Sequence, residues 1–420
     1  MSVVAAFWIT PGVGISSRFA QHNLEYLKQL TEVDLPVTDG ARSNFEVSAH
    51  QTLRKRIVYY LNRAPRDPSL HMRPTTSDVY FFPTGMAAIY KTHSYISHHY
   101  KGTTVLFGMA FMNTLTLFDE FSTSHKFFGL GTDSDLHDLE LFLREEQKAG
   151  RKVQAIWAEF PSNPILFAPN LARLRVLARE YDTILGVDDT IGSFANIDIV
   201  SHVDILVTSL TKSFNGYADA IAGSVVLNPA GQKYTELKSV FGRYHIPELY
   251  SVDAETIERN SRDYLTRTTT LNNNAAALVS YLNKCSQDPK SAVKRVHYPD
   301  PTINSSGKHY HEFMRLPTDD FTPGYGCLFN VELEDLPTTV AFYDNLNVHF
   351  GPHLGAPFTL CFAYTMGAYG SRLDWAARYD LRPTQIRISA GLENINNLLG
   401  DFRIAVEAAD KVKAAAASTT

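Results

Sequence analysis

The chain alternates short apolar runs with longer stretches in which apolar residues recur every three or four positions. The runs are VYFF (79–82), TVLFG (104–108), VQAIWAEF (153–160), TILGVDD (183–189), VDILVTSL (203–210) and AGSVVLN (222–228). Between them, segments such as DLHDLELFLREEQKAG and NLARLRVLAREY have the periodicity of amphipathic helices. Continuous apolar strands alternating with helices predict an α/β fold, a largely parallel sheet covered by helices. After Pro247 the texture changes. DAETIERNSRDYLTRTTTLNNNAAALVSYLNK predicts one long helix, and strands (YGCLFNVEL, QIRIS) mixed with helices (LPTTVAFYDNL, LLGDFRIAVEAADKV) follow it. A boundary near residue 255 divides a ligand-binding domain (71–255) from a smaller C-terminal domain (256–420). Residues 1–70 form no unit of their own and predict an N-terminal arm, and KAAAASTT predicts a frayed tail.

Composition narrows the partner. With 420 residues, 44% of them hydrophobic, the chain can bury a large core. Its net charge of -5 is spread without long single-sign runs, which argues against nucleic acid and against a polybasic membrane patch, and leaves a small molecule. The three cysteines, Cys285, Cys327 and Cys361, are too widely spaced for a disulfide framework or a metal site and suit a reducing compartment. VVAAFWI is too short to span a bilayer and lacks a basic flank, so the cytoplasm is the expected location.

In parallel α/β sheets, ligands gather beyond the carboxyl ends of the strands. The residues just after the apolar runs are Gly85 and Met86, Asn163, Asp188, and then Ser209, Thr211 and Lys212. Each alone has a plainer reading: Asp188 as a helix cap, PTGMAAI as a helix start, PSNP as a β-turn, Lys212 as a solvated loop lysine. Together they supply helix N-terminal donors and two hydroxyls for a phosphate, an acid for a cationic ring nitrogen, an amide for a ring oxygen and an amine for an aldehyde. Those are the needs of pyridoxal 5'-phosphate. Competing motifs are poorer. GVGISS (12–17) lacks the lysine of a P-loop, His93, His98 and His99 fall on a helix without acids or cysteines nearby and predict surface residues, and LRKRI reads as a helix's polar face. No metal site is expected.

PTGMAAI, EFPSNP, GVDDT, DILVTSLTKSFNGYADAIAGSVV, LDWA and QIRISAGLEN, in this order and spacing, resemble the pyridoxal-phosphate-dependent enzymes of Cys/Met metabolism, typified by cystathionine γ-synthase. YHIPELYSVDAETIERNSRDYLTR is similar to the fungal branch. The resemblance implies a fold-type-I enzyme with a mostly parallel seven-stranded sheet and a smaller α/β C-terminal domain, assembled as a homodimer or homotetramer. It implies that Lys212 carries the cofactor as a Schiff base and that Asp188 keeps the pyridinium nitrogen protonated. Asn163 would face the ring hydroxyl, and Gly85, Met86, Ser209 and Thr211 would bind phosphate. Arg387 of QIRIS would grip the substrate carboxylate as a fork, with an ordinary ion pair as its plainer reading.

Three departures from the family pattern bear on the reaction. Phe111, in FGMAFMNTLTLF, stands where relatives stack a tyrosine on the cofactor, so stacking survives and the phenol does not. Loss of that acid matters least when the leaving group is already a carboxylate, which favours an O-acyl-L-homoserine, such as O-acetyl-L-homoserine, over a thioether. His353, in GPHLGAPF, replaces a serine; it sits either beside the substrate carboxylate or simply packed. In the arm, Arg42 matches loosely the arginine that in relatives reaches a neighbouring subunit's phosphate, with Arg63 the competitor. The expected reaction is γ-substitution through a vinylglycine ketimine, replacing the acyloxy group by a second, nucleophilic substrate. A carbon acid such as acetoacetate is one candidate, cysteine as in cystathionine γ-synthase another; a cystathionine γ- or β-lyase and a non-catalytic homologue are the remaining readings.

Overall fold

A computed structural model describes residues 3–29, 45–69 and 72–418. The six apolar runs form six strands, and HKFF, which was not among them, adds a seventh: β1 (Val79–Phe82), β2 (Thr103–Phe107), β3 (His125–Phe128), β4 (Val153–Glu159), β5 (Ile184–Asp188), β6 (Ile205–Ser209) and β7 (Gly223–Leu227). They make one sheet in the order β1-β7-β6-β5-β4-β2-β3, parallel except for β7, which runs antiparallel to both neighbours. The expected mostly parallel seven-stranded sheet is thus present. Every residue of β4 and β7 is buried, which explains why these strands read as unbroken apolar runs rather than alternating ones.

Four helices frame the N-terminal side: α1 (Val3–Ile9), α2 (Ser17–Leu24), α3 (Ser48–Asn62) and α4 (Gly85–Tyr100). Leu53 and Ile57 of α3 are fully buried in the core of the large sheet, alongside Phe81 and Tyr264. The C-terminal part has its own five-stranded sheet, β10-β11-β12-β9-β8, from β8 (Val293–His297), β9 (Leu328–Leu333), β10 (His349–Phe350), β11 (Leu360–Phe362) and β12 (Gln385–Ser389). Helix Ile395–Ala417 packs against it through Phe402, which meets Phe342 and Phe329.

Two sequence expectations change. The single helix after Pro247 is two, Ser251–Asn260 and Tyr264–Ser286. Arg56 donates to the Glu258 carbonyl and Arg267 to the Asn260 carbonyl, so guanidinium groups take acceptors that helical N–H groups would otherwise need. His93 is a core residue, not a surface one: its ring packs edge-on to Phe118 and Nε2 meets Ser122 at 3.1 Å, while His98 and His99 are exposed. Burial holds His93 down to a pKa of about 4, so it is neutral. Among the described residues no three His, Cys, Asp or Glu side chains are grouped to hold a metal, and no helix is long and apolar enough to cross a membrane.

Candidate active site

A cavity of about 260 Å³ opens where β4, β5 and β6 end. Gly85, Met86, Phe111, Asn163, Asp188, Ser209, Thr211, Lys212 and Arg387 all line it. Parallel pairing sets Glu159 at the end of β4 opposite Asp188 at the end of β5. Lys212 follows β6 by one turn, its N–H donating to the Ser209 carbonyl. The sheet and the α4 N-terminus therefore bring together residues spread over more than 300 positions.

The Nζ of Lys212 lies 3.2 Å from His353 Nδ1. Burial and the Arg387 cation lower the lysine's pKa to about 8, against the opposing pull of Asp188. A minor but appreciable fraction of the amine, roughly a tenth to a fifth, is therefore neutral near physiological pH, the form that can attack an aldehyde. His353 is pushed down to about 3 by burial and by the Lys212 and Arg387 cations. It is a neutral imidazole that accepts from Lys212 at Nδ1, and its buried Nε2 has no partner among the described residues. Asp188 accepts the Thr190 N–H at 2.8 Å, and burial raises its carboxyl above the ordinary range while Thr190 and Lys212 pull the other way.

Arg387 donates to Asn163 Oδ1 at 3.0 Å and to the Pro352 carbonyl, and its guanidinium lies 4.6 Å from the Tyr364 ring centre. That stacking and the two acceptors fix the plane of the fork. Phe111 caps the helix Met112–Phe121 and donates its N–H to Glu159 at 2.7 Å. Of the two hydroxyls, Thr211 Oγ1 exchanges hydrogen bonds with the N–H and carbonyl of Ala222, whereas Ser209 Oγ has no such engagement among the described residues. A Cβ on Gly85 would sit 2.7 Å from Ser209 Cβ, so only glycine lets the α4 N-terminus approach this serine.

Three residue sets escaped the sequence reading. Glu159 accepts from Phe111 and, at 3.0 Å, from the Asn163 N–H; burial and the nearby Asp188 charge raise its pKa well above the ordinary range. The signal was available, as a charge closing the apolar run VQAIWAE. Tyr364 accepts the Met112 N–H at 3.2 Å and carried no signal. Trp8, Ile9 and Gly12, from the segment read as an arm, line the cavity. Arg42 lies outside the described residues. Arg63 points elsewhere, pairing with Asp320 and Thr318 over the Phe321 ring.

The profile of the Cys/Met metabolism PLP-dependent enzymes matches residues 72–407. The chain belongs to this family. Its cofactor is pyridoxal phosphate, and the chain is an enzyme of the γ-substitution and elimination class. Relatives include the cystathionine gamma-synthase-like enzyme iboG1 of Amanita muscaria, 33% identical over 99% of this chain and 76% of that protein. The alanine racemase ungC of Aspergillus violaceofuscus is 35% identical over 97% of this chain and 72% of that protein. The cystathionine gamma-synthase of Neurospora crassa is 36% identical over 88% of this chain and 60% of that protein. In fold, the chain is similar to cystathionine gamma synthase from Xanthomonas oryzae, with a TM-score of 0.71 at 18% identity covering 91% of this chain and 92% of that one. The fold is type I.

The residues present fit the cofactor. A lysine of lowered pKa, an acid opposite it, the helix N-terminus at Gly85 and a glycine-permitted approach to Ser209 converge on one cavity.

Proposed function

We propose that this enzyme performs γ-substitution on an O-acyl-L-homoserine, specifically O-acetyl-L-homoserine, exchanging the acyloxy group for a carbon nucleophile such as acetoacetate or its ester. The observation that carries the reading is the Lys212–His353 contact, Lys212 lining the same cavity as Phe111, which offers no phenol. When bound, pyridoxal phosphate supplies an electron sink that acidifies the substrate's Cα and then Cβ protons.

Arg387 binds the substrate carboxylate and Asn163 holds that arginine in plane. Asp188 would keep the ring nitrogen protonated, and Gly85, Met86, Ser209 and Thr211 would hold the phosphate. Lys212 carries the proton between Cα and Cβ. The acyloxy group leaves as a carboxylate and needs no acid at position 111. His353 then accepts the acidic proton of the nucleophile. One of the causes that depress it, the Arg387 charge, is offset once the arginine meets a carboxylate, so that part of the depression is relieved as the site fills.

Among the described residues the cations lining the cavity are Lys212 and Arg387, both committed. In this reading Arg42 supplies the charge opposite the phosphate of a neighbouring subunit, in a homodimer or homotetramer. The test is to give the cofactor-loaded enzyme O-acetyl-L-homoserine alone and follow acetate and 2-oxobutyrate. Slow release of both supports the reading. L-alanine turned into D-alanine, with no acetate from the ester, would replace it by the activity of the racemase relative.

A further inference from the structure

Chain ends fray unless something ties them down. Here Thr10, Pro11 and Gly12 are buried, although they immediately follow α1, where Val4, Phe7 and Trp8 are 76%, 58% and 45% exposed. The buried turn lies on the first turn of α4. Thr84, which caps α4 by accepting the Ala87 N–H at 2.9 Å, donates its hydroxyl hydrogen to the Gly12 carbonyl, also at 2.9 Å. Gly12 has φ +65°, and a Cβ there would stand 2.3 Å from Thr84 Oγ1, 2.7 Å from Met86 Cβ and 2.8 Å from the Ala87 nitrogen. No side chain fits between the two backbones. Val13 packs onto the cluster that contains Ala87 and Ile89.

Both ends of this turn are fastened. On its N-terminal side the Trp8 indole lies over Gly14, where a Cβ would come within 1.9 Å of it, and Trp8, Ile9 and Gly12 face the cavity. On its C-terminal side Ser16 caps α2, and Arg18 donates to the Asp219 carbonyl at 2.7 Å and pairs with Asp253 at 3.2 Å. Asp219 belongs to the loop that follows Lys212 and is itself held by Asn215 and Asn260. The segment therefore touches the α4 N-terminus, whose Gly85 and Met86 N–H groups have no acceptor inside the helix, and the loop that carries the lysine.

We infer that residues 8–14 are a strap of the chain's own that closes the phosphate end of its cofactor site, with Gly12 seating it on α4 and Trp8 covering the opening. Water kept from the α4 N-terminus strengthens its hold on a phosphate, so the strap acts on cofactor retention rather than on the chemistry at Cα. Trp8 and Gly12 are positioning residues. The inference concerns cofactor binding alone and does not depend on the nucleophile.

The experiment measures pyridoxal phosphate dissociation and tryptophan-to-cofactor energy transfer in the whole protein, with no amino-acid substrate added. The chain has three tryptophans, so the difference between the native protein and Trp8→Phe isolates the signal of Trp8. Gly12→Val, and deletion of residues 1–15, which leaves Ser16 and Arg18 in place, are expected to release the cofactor about tenfold faster or more. Phe7→Ser, on the exposed side of α1, is expected to leave release unchanged. Native release rates in both strap variants overturn the inference. If either variant folds poorly, hydrogen exchange on the native chain decides: slower exchange at residues 8–14 on cofactor binding supports the strap, and equal exchange refutes it. These readouts stand whether or not O-acetyl-L-homoserine proves to be the substrate.

Discussion

Arg387→Lys is the substitution whose effect can be worked out most fully. The native guanidinium has two acceptors, Asn163 Oδ1 and the Pro352 carbonyl, and a face on Tyr364. A lysine keeps the charge but offers neither the flat face nor the paired N–H groups that match a carboxylate. Hydrogen bonds to charged groups are worth about 1.5–3 kcal/mol each. Losing one of the pair to the substrate, together with part of the preorganisation, costs about 2–4 kcal/mol, roughly 30- to 1,000-fold in kcat/KM. The carboxylate is present in the ground state and the transition state alike, so the loss falls mainly on KM. The assay is acetate release from O-acetyl-L-homoserine by enzyme whose lysine-bound cofactor band is intact. 3-Aminopropyl acetate, the same substrate without its carboxylate, provides the control: the native enzyme should lose on it at least what the variant loses on the full substrate, and the two losses should not add. A variant within about fivefold of native on the full substrate, or fully additive losses, would refute the assignment of Arg387.

Lys212→Ala should abolish the lysine-bound absorption band and turnover; a borohydride-reducible lysine adduct persisting in that variant would contradict the role given to Lys212. Lys212 must be neutral to capture the cofactor, and its lowered pKa of about 8 means that capture by cofactor-free protein speeds up as pH rises towards 8 and levels off above it. A lysine with its ordinary pKa would keep accelerating through about pH 10. Leu53→Ala in α3 removes a fully buried side chain from the large-sheet core and should cost about 2–5 kcal/mol in denaturant unfolding. His353→Ala should leave acetate release within a few-fold of native while cutting carbon-adduct formation by about 10²-fold or more, the range of general-base contributions.

Most of the sheet was legible because its inner strands are buried on both faces and carry no polar alternation to obscure them, whereas the edge strand β3, HKFF, is only partly buried and was missed. The site was legible as far as it lies at strand ends: Asp188, Ser209 and Lys212 follow apolar runs directly, and the fold does the rest by placing those runs side by side. Glu159 could have been read the same way. Tyr364 and the Gly12 turn could not, since each acquires its role only by apposition with a segment remote in sequence, Met112 in one case and Thr84 in the other. The break at residues 261–263 was hidden for a similar reason. Arg56, about two hundred residues upstream, competes for a carbonyl that local periodicity assigns to the helix. His93 misled because helical position alone does not tell which face of α4 meets Phe118.

The most direct test of the γ-substitution reading is a competition. Cofactor-loaded enzyme would receive O-acetyl-L-homoserine with equimolar L-cysteine and an acetoacetate ester, and the products would be resolved by mass while acetate is followed. The account predicts an amino acid carrying the keto compound on Cγ as the main product, formed in step with acetate and at the expense of 2-oxobutyrate. Cystathionine as the main product, with no carbon adduct, would contradict the account and place the enzyme in ordinary transsulfuration.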